Sequence, residues 1–302
     1  MDPIAFAITD NLQIRWYGIM MAISMLLGSY IGAQLLKKIG RPGDLIWDGL
    51  VWIILAGISG ARLVYVLTNI SDFVAHPEEI LRVDHGGLSF HGGIIAGVIA
   101  AYFYFRRHKI NFIEVMDSFA PGVAIGVILV RIGNFMNGDI LGFKWDGPWA
   151  MNFPYDEYHR MPGASQEDII LRHPTELYGL LVGVITFFVC YVVWRKIYID
   201  KVLPRGANYI TFVFCYSLLR TTIEDPFRHV SEQHRIPLFG SITLTYSQIV
   251  DIVLILVCIW AYTQLRKWDA ARREVENRGS GFGGAESRQE RRARQRAEKS
   301  KP

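Results

Sequence analysis

The chain alternates long apolar runs with short polar connections, and most of the runs are long enough to cross a bilayer. A hydrocarbon core of ~30 Å takes about 20 mostly apolar helical residues. Such runs lie at Tyr17–Leu36, Ile46–Leu67, Leu88–Phe105, Phe112–Ile132, Thr175–Trp194, Tyr209–Thr222 (the shortest) and Leu244–Leu265. The pattern predicts an all-α fold, a polytopic transmembrane helix bundle of about seven spans. The first run lacks the basic leader and small-residue cleavage site of a signal peptide, so it is expected to remain as a helix.

The connections alternate in charge. Basic clusters occur at Lys37, Lys38 and Arg41, then at Arg106, Arg107 and Lys109, then at Arg195, Lys196, Lys201 and Arg205, and finally in the tail. Basic connections stay in the cytoplasm, which predicts an N-terminus outside, or periplasmic, and a cytoplasmic C-terminus. Asp72–Asp84 and the long stretch Gly133–His173 should then face outward. Residues 1–265 are expected to form the membrane domain and residues 266–302 a basic tail. That tail has too few large apolar residues to bury a core, so it is expected to be disordered or to lie on anionic headgroups.

Composition narrows the function classes. With 51% hydrophobic and 20% charged residues the chain is too apolar for an ordinary soluble domain of its length. From Arg266 onward twelve Lys or Arg face six Asp or Glu, while the whole chain carries +4, so the body is slightly acidic and does not read as a nucleic-acid-binding domain. Cys190, Cys215 and Cys258 sit inside apolar runs without metal-ligand spacing, as buried thiols that pack as small hydrophobes.

With this orientation the unusual polar residues gather on the outer side. Arg15 and Tyr17 begin the first run, Arg62 and Tyr65 end the second, and His91 begins the third. Arg131 and Asn134 end the fourth, His173 and Tyr178 begin the fifth, Arg220 and Glu224 end the sixth, and Gln248 begins the seventh. Interfacial anchoring explains Tyr, Trp and Arg at helix ends, but not Asn, Gln, Glu and His concentrated on one side. An ionisable residue inside an apolar segment costs ~2.5–3.5 kcal/mol on insertion scales, so it tends to face the bundle interior and to serve a function. Arg131, Asn134 and Asn137 share a face if the helix continues that far, and Arg220 and Glu224 have the i, i+4 spacing of a pair. That pair also fits a purely structural salt bridge. Two guanidinium groups on neighbouring helices suit an anion such as phosphate, held by charge-assisted, often bidentate hydrogen bonds. Glycines flank these residues in His85-Gly-Gly-Leu-Ser-Phe-His-Gly-Gly93 and in Arg131-Ile-Gly-Asn-Phe-Met-Asn-Gly-Asp139, followed by Gly142.

Through these stretches the chain resembles the bacterial prolipoprotein diacylglyceryl transferases, which move a diacylglyceryl group from phosphatidylglycerol to the lipobox cysteine of a lipoprotein precursor. The resemblance runs from Ile14 to about Ile249, through Ile14-Arg-Trp-Tyr-Gly18, Gly60-Ala-Arg-Leu63, Gly86-Gly-Leu-Ser-Phe-His-Gly-Gly93, the stretch beginning at Arg131, Arg172-His-Pro-Thr-Glu-Leu-Tyr178, and Arg220 with Glu224. The family usually carries Glu, an aromatic and Arg where this chain has Asp139, Leu141 and Phe143. It commonly has Gln and Glu at Glu176 and Gly179, and Arg at Phe227, with Arg228 following a proline here. Tyr17, His91, Arg131, Asn134, Gly142, Arg220 and Glu224 match it.

The resemblance implies attack of a cysteine thiol on the glycerol carbon that bears the phosphate. Arg131 and Arg220 are then expected on the phosphate, Asn134 and Tyr17 as hydrogen-bonding positioners, Glu224 orienting Arg220, and His91 as the candidate base. Asn137, Asp139, Gly142, His173 and Tyr178 complete the expected substrate-binding set. No metal or nucleotide cofactor is expected. The implied partners are phosphatidylglycerol, the signal peptide of a prolipoprotein and membrane lipids, with no nucleic acid. The implied location is the bacterial cytoplasmic, or inner, membrane, with the site toward the outer leaflet. A lipid or anion transporter also uses paired arginines, and Gly57-Ile-Ser-Gly60 superficially resembles the serine motif of rhomboid intramembrane proteases. Transporters more often show midplane sites and repeat symmetry, and no histidine follows Ser59 on a later span in the order that a rhomboid fold requires.

Overall fold

The computed structural model describes residues 3–9, 12–82, 86–153, 169–230, 235–239 and 242–299, and beyond residue 272 only their backbone. His85 of the first glycine-rich motif, Asp84 and residues 154–168 of the long outer connection lie outside them. The helices are α1 (Trp16–Lys38), α2 (Leu45–Thr68), the short α3 (Ile70–Ala75), α4 (Phe90–Arg107), α5 (Phe112–Asn137), α6 (Thr175–Tyr198), α7 (Ala207–Leu219) and α8 (Tyr246–Lys299). Antiparallel hairpins lead straight into α1 and α8: β1 (Ile4–Thr9) with β2 (Leu12–Arg15), and β5 (Arg235–Phe239) with β6 (Ile242–Thr245). A third pair, β3 (Met151–Asn152) with β4 (Leu171–Arg172), precedes α6.

Each apolar run of the sequence lies on a helix. Among the described residues five helical segments are long and apolar enough to cross a membrane: α1, α2, α5, α6 and the first part of α8, Tyr246–Arg272. Helix α4 has 18 residues, with His91 at its start and Arg106 and Arg107 at its end. Helix α7 has 13 and is prolonged by a π-helical turn over Arg220–Glu224. Helix α8 does not stop at Leu265 but continues through the basic segment to Lys299, with the helix formers Ala, Arg, Glu and Gln abundant on either side of the glycine-rich stretch Gly279–Gly284. Apolar side chains also cover the outside of the bundle: Leu55, Phe103, Phe188 and Trp260 are each more than half exposed. So continuous an apolar surface suits hydrocarbon and not water.

Helix α1 lies antiparallel against α5, because Tyr17 meets Gly133 while Gly28 meets Gly122 and Gly32 meets Phe119. At Gly28 an added Cβ would fall 2.9 Å from the Gly122 carbonyl oxygen, so the two backbones touch only because neither residue has a side chain. Helices α6 and α7 continue this layer and α8 packs on α7, whereas α2 and α4 pack mainly on each other. The α2–α4 pair joins the rest through an apolar cluster of Ala33, Leu36, Ile46, Phe105, Ile110 and Val115.

That cluster marks one end of the bundle, and the basic connections converge there. Arg41, between α1 and α2, donates to Glu114 at the start of α5 through Nε at 2.6 Å and Nη2 at 3.1 Å. Arg205, between α6 and α7, donates to the same carboxylate at 2.9 Å. One turn later the buried Asp117 accepts from the backbone N–H groups of Gly206, Asn208 and Tyr209 at 2.7–3.2 Å and from the Tyr198 hydroxyl at 3.0 Å. A carboxylate of α5 thus satisfies the free amides at the N-terminus of α7 and meets the positive end of its dipole. Removing it should be costly. Asp117→Ala is expected to lose about 3 kcal/mol, since hydrogen bonds to a charged group contribute ~1.5–3 kcal/mol. Thermal unfolding in detergent measures this, and an unchanged midpoint would show that the cap is dispensable.

Candidate functional site

At the opposite end of α5 the bundle buries charge. Arg131, in the last turns of α5, is 8% exposed, and Glu224 is fully buried at the end of the π-helical turn. Arg131 Nη2 donates to Glu224 Oε2 at 2.8 Å and stands 2.7 Å from Oε1. Helix α6 comes close enough to wall this pair only at a glycine. A Cβ on Gly179 would fall 2.5 Å from Arg131 Nε and 2.6 Å from Glu224 Oε2.

The expected pairing of Arg220 with Glu224 is therefore not the principal one. A π-helical turn bonds residue i to i+5 and so rotates the side chains that follow it away from their α-helical positions. Arg220 accordingly meets Asp225, with Nε 3.7 Å from Oδ1, and reaches α8, where Nη1 is 3.7 Å from Asp251 Oδ2. Arg220 keeps 20% of its side chain exposed and, among the described residues, makes only these long ion pairs, so its donors are held less tightly than those of Arg131. Asp225 and Asp251 were not among the expected site residues. Asp251 could have been found as an acid inside the last apolar run, whereas Asp225 becomes a partner of Arg220 only through the wide turn.

Helix α5 continues to Asn137, so Arg131, Asn134 and Asn137 do share a face. It ends where Gly138 takes a left-handed conformation, φ +67°, and its N–H bonds to the Asn134 carbonyl at 2.7 Å. Asn134 is buried, while Asn137 donates to the exposed Asp139 at 2.8 Å. The chain then forms a small pad across the end of the bundle. Gly142 bridges to Arg228 and Lys144 to Arg172, and Phe143 exchanges backbone bonds with Phe227 and His173. Gly142 permits the close pass, since a Cβ there would fall 2.7 Å from the Cβ of His173.

His173 and Tyr178 belong to this pad. The Trp145 ring stacks on His173 with centroids 4.3 Å apart, His173 Nδ1 is 3.0 Å from the Tyr178 hydroxyl, and Trp149 Nε1 donates to that hydroxyl at 2.8 Å. Burial lowers the His173 pKa, which favours the neutral ring. The two tryptophans carried no signal beyond their aromaticity. Glu176, in the first turn of α6, is fully buried, and neither of its carboxylate oxygens has a hydrogen-bond partner among the described residues.

A cavity of about 440 Å³ opens beside the pair and runs along α1 and α5, touched also by Leu50 of α2, Phe90 of α4 and Tyr216 of α7. Tyr17 and Arg131 line its end at the charged cluster, and apolar or small residues line most of the remainder. His91 is not brought to the cluster. It is exposed at the start of α4, although its neighbour Phe90 lines the cavity. Arg62 likewise stands apart, with its guanidinium donating to the carbonyls of Ile80, Gly86, Gly87 and Glu79 and so holding the connection before α4.

The arrangement predicts different costs for two acids. Glu224→Gln strips a buried guanidinium of its carboxylate and should cost about 3–5 kcal/mol. Asp251→Asn removes a carboxylate 3.7 Å from a partly exposed guanidinium and should cost clearly less. Thermal unfolding of both variants in the same detergent tests the order, and a smaller loss in Glu224→Gln would overturn it.

Comparison with known proteins identifies the chain's relatives. Residues 3–264 match the family model described as prolipoprotein diacylglyceryl transferase. A Thermus thermophilus protein named phosphatidylglycerol–prolipoprotein diacylglyceryl transferase is 33% identical over 288 residues, covering 87% of this chain and 98% of its own. Proteins of the same name from Deinococcus radiodurans and Legionella pneumophila are 31% and 32% identical, covering 88% and 87% of this chain and 86% and 96% of theirs. By a match that spans its whole helical body up to the basic segment, the chain belongs to the prolipoprotein diacylglyceryl transferase family.

Proposed function

We propose that this protein transfers the diacylglyceryl group of phosphatidylglycerol to the lipobox cysteine of prolipoproteins in the bacterial inner membrane. The observation that carries the reading is the meeting of an apolar cavity with a guanidinium cluster at Arg131. A phospholipid needs both, a dry space for acyl chains and fixed donors for an anionic headgroup. The names of the relatives supply the two substrates.

In this mechanism the lipid headgroup sits at the Arg131 end of the cavity. Arg220, with its looser ion pairs, turns its donors to the phosphate, while Arg131, oriented by Glu224, supplies fixed positive charge beside it. Tyr17 and Asn134 position the glycerol. The cysteine sulfur attacks the glycerol carbon, the carbon–oxygen bond to the phosphate breaks, and glycerol phosphate leaves as the thioether forms. Donors already in place stabilise the growing charge on the leaving oxygen. A thiolate is the better nucleophile, and we assign the thiol proton to His91, which stands exposed at the start of α4 beside the cavity-lining Phe90. Asn137, Asp139, Gly142, His173 and Tyr178 shape the pad over which the peptide reaches the lipid.

The chain crosses the membrane seven times, with α4 and α7 as the two short spans. The end that holds Glu114 faces the cytoplasm, and the end that holds Arg131 faces the outer leaflet. The convergence of Arg41 and Arg205 on Glu114 supports this, because it gathers two basic connections at one end, as the positive-inside rule requires.

Two measurements test the reading. Purified protein given labelled phosphatidylglycerol and a lipobox peptide should form a thioether-linked lipopeptide. Arg131→Lys and Arg220→Lys keep the charge but lose the planar fork, so each should reduce turnover about 100-fold with folding retained, and full activity in both would refute the phosphate clamp. For orientation, a cysteine placed at Asp146 should react with a membrane-impermeant reagent from outside, and one at Lys201 should not. Labelling of both from one side would overturn the topology.

A further inference from the structure

The cavity beside Arg131 has a definite depth. Its α5 wall extends from Arg131 back to Phe119, twelve residues that rise roughly 18 Å at about 1.5 Å each. Spread over that length, a volume of about 440 Å³ has the width of one hydrocarbon chain. Along this wall Gly126 leaves room, since a Cβ there would come no nearer than 3.9 Å to Ser24, while Gly122 keeps α5 in contact with Gly28 of α1. The Ser24 hydroxyl on the α1 wall donates to the Met21 carbonyl at 2.7 Å, so it makes no polar demand on an occupant. Among the described residues that line it, charge enters only at Arg131.

Phe119 closes the other end. Its ring lies against the backbone of α1 at Gly32, where a Cβ would fall 2.6 Å from ring carbon Cδ2. On its far side Phe119 packs against the apolar cluster that ties α2 and α4 to α1 and α5. Beyond the ring the interior is therefore filled, and before it lies the cavity.

We infer that Phe119 is the floor of a slot for one acyl chain of the lipid substrate, and that the distance from Arg131 to Phe119 limits the chain length this enzyme accepts. The inference rests on the transferase reading above and adds a specificity-determining residue to it. A headgroup phosphate held near Arg131 sets the top of the chain. A chain longer than the slot meets the Phe119 ring and has to fold back or lift the phosphate from its donors. In a packed site a misfit of even one methylene changes selectivity by about tenfold or more.

The test is a series of saturated phosphatidylglycerols from two dodecanoyl to two octadecanoyl chains, given to the full-length protein in one detergent with a lipobox peptide. Two variants bracket the slot. Gly126→Leu fills it midway, at a lining position where a Cβ has 3.9 Å of clearance to Ser24 Cβ. It should shift kcat/KM toward the shortest lipids by about tenfold relative to wild type. Phe119→Ala should raise the relative rate with the longest lipids. Gly126→Leu keeps the question answerable if the truncated ring weakens the fold. Thermal stabilisation by the same lipids, without peptide, follows occupancy of the slot independently of turnover. An unchanged ratio between short and long lipids in folded Gly126→Leu, in both turnover and stabilisation, would overturn the slot. A wild-type protein that is stabilised according to chain length but transfers nothing would keep the slot and sink the transferase reading.

Discussion

Burying a guanidinium in an apolar bundle is tolerable only if a carboxylate is buried with it, and the Arg131–Glu224 pair places that demand on three helices at once. Helix α5 brings the arginine, the end of α7 brings the glutamate, and α6 has to approach at Gly179, where any larger residue would collide with both. The π-helical turn belongs to the same arrangement. By widening the end of α7 it delivers Glu224 to α5 while turning Arg220 toward Asp225 and α8. The result is one guanidinium held rigidly and another held loosely, which suits a site that must keep its shape before the ligand arrives and still have donors to offer it.

The two ends of the bundle use charge differently. At the Glu114 end, carboxylates close the structure, joining the connections through Arg41 and Arg205 and capping α7 through Asp117. At the Arg131 end, the buried Arg131–Glu224 pair lies beside the cavity, which Arg131 lines. Between them α1 and α5 touch through glycine, while α2 and α4 stand somewhat apart and are held mainly by the apolar cluster below Phe119. The cavity lies where these two groups of helices separate.

Much of this was legible in the chain itself. Runs of apolar residues located the helices because a bilayer-spanning helix satisfies its own backbone and needs only length and hydrophobicity to be recognised. The concentration of Arg131, Asn134, Arg220 and Glu224 at one end followed from alternating basic connections. Their pairing did not. Spacing of i, i+4 pointed to Arg220 with Glu224, and a single wide turn, which composition does not announce, reassigned both partners. His91 was legible as an unusual residue among glycines, but its standing apart from Arg131 depends on how the α2–α4 pair sits against α5, a tertiary fact. The role of Gly142 and Gly179 as close-approach points likewise appears only once the neighbours are in place.

Asp117 carries a consequence for biosynthesis. Its carboxylate lies within α5, yet three of its partners are the backbone amides of Gly206, Asn208 and Tyr209, about ninety residues further along the chain. While the polypeptide is being made, α5 emerges long before those amides exist. Until α6 and the start of α7 have followed, the acid must stay hydrated, protonated or near the membrane surface. Final docking of α5 is therefore tied to synthesis of the chain past residue 209, so that these helices settle as a group and not one after another.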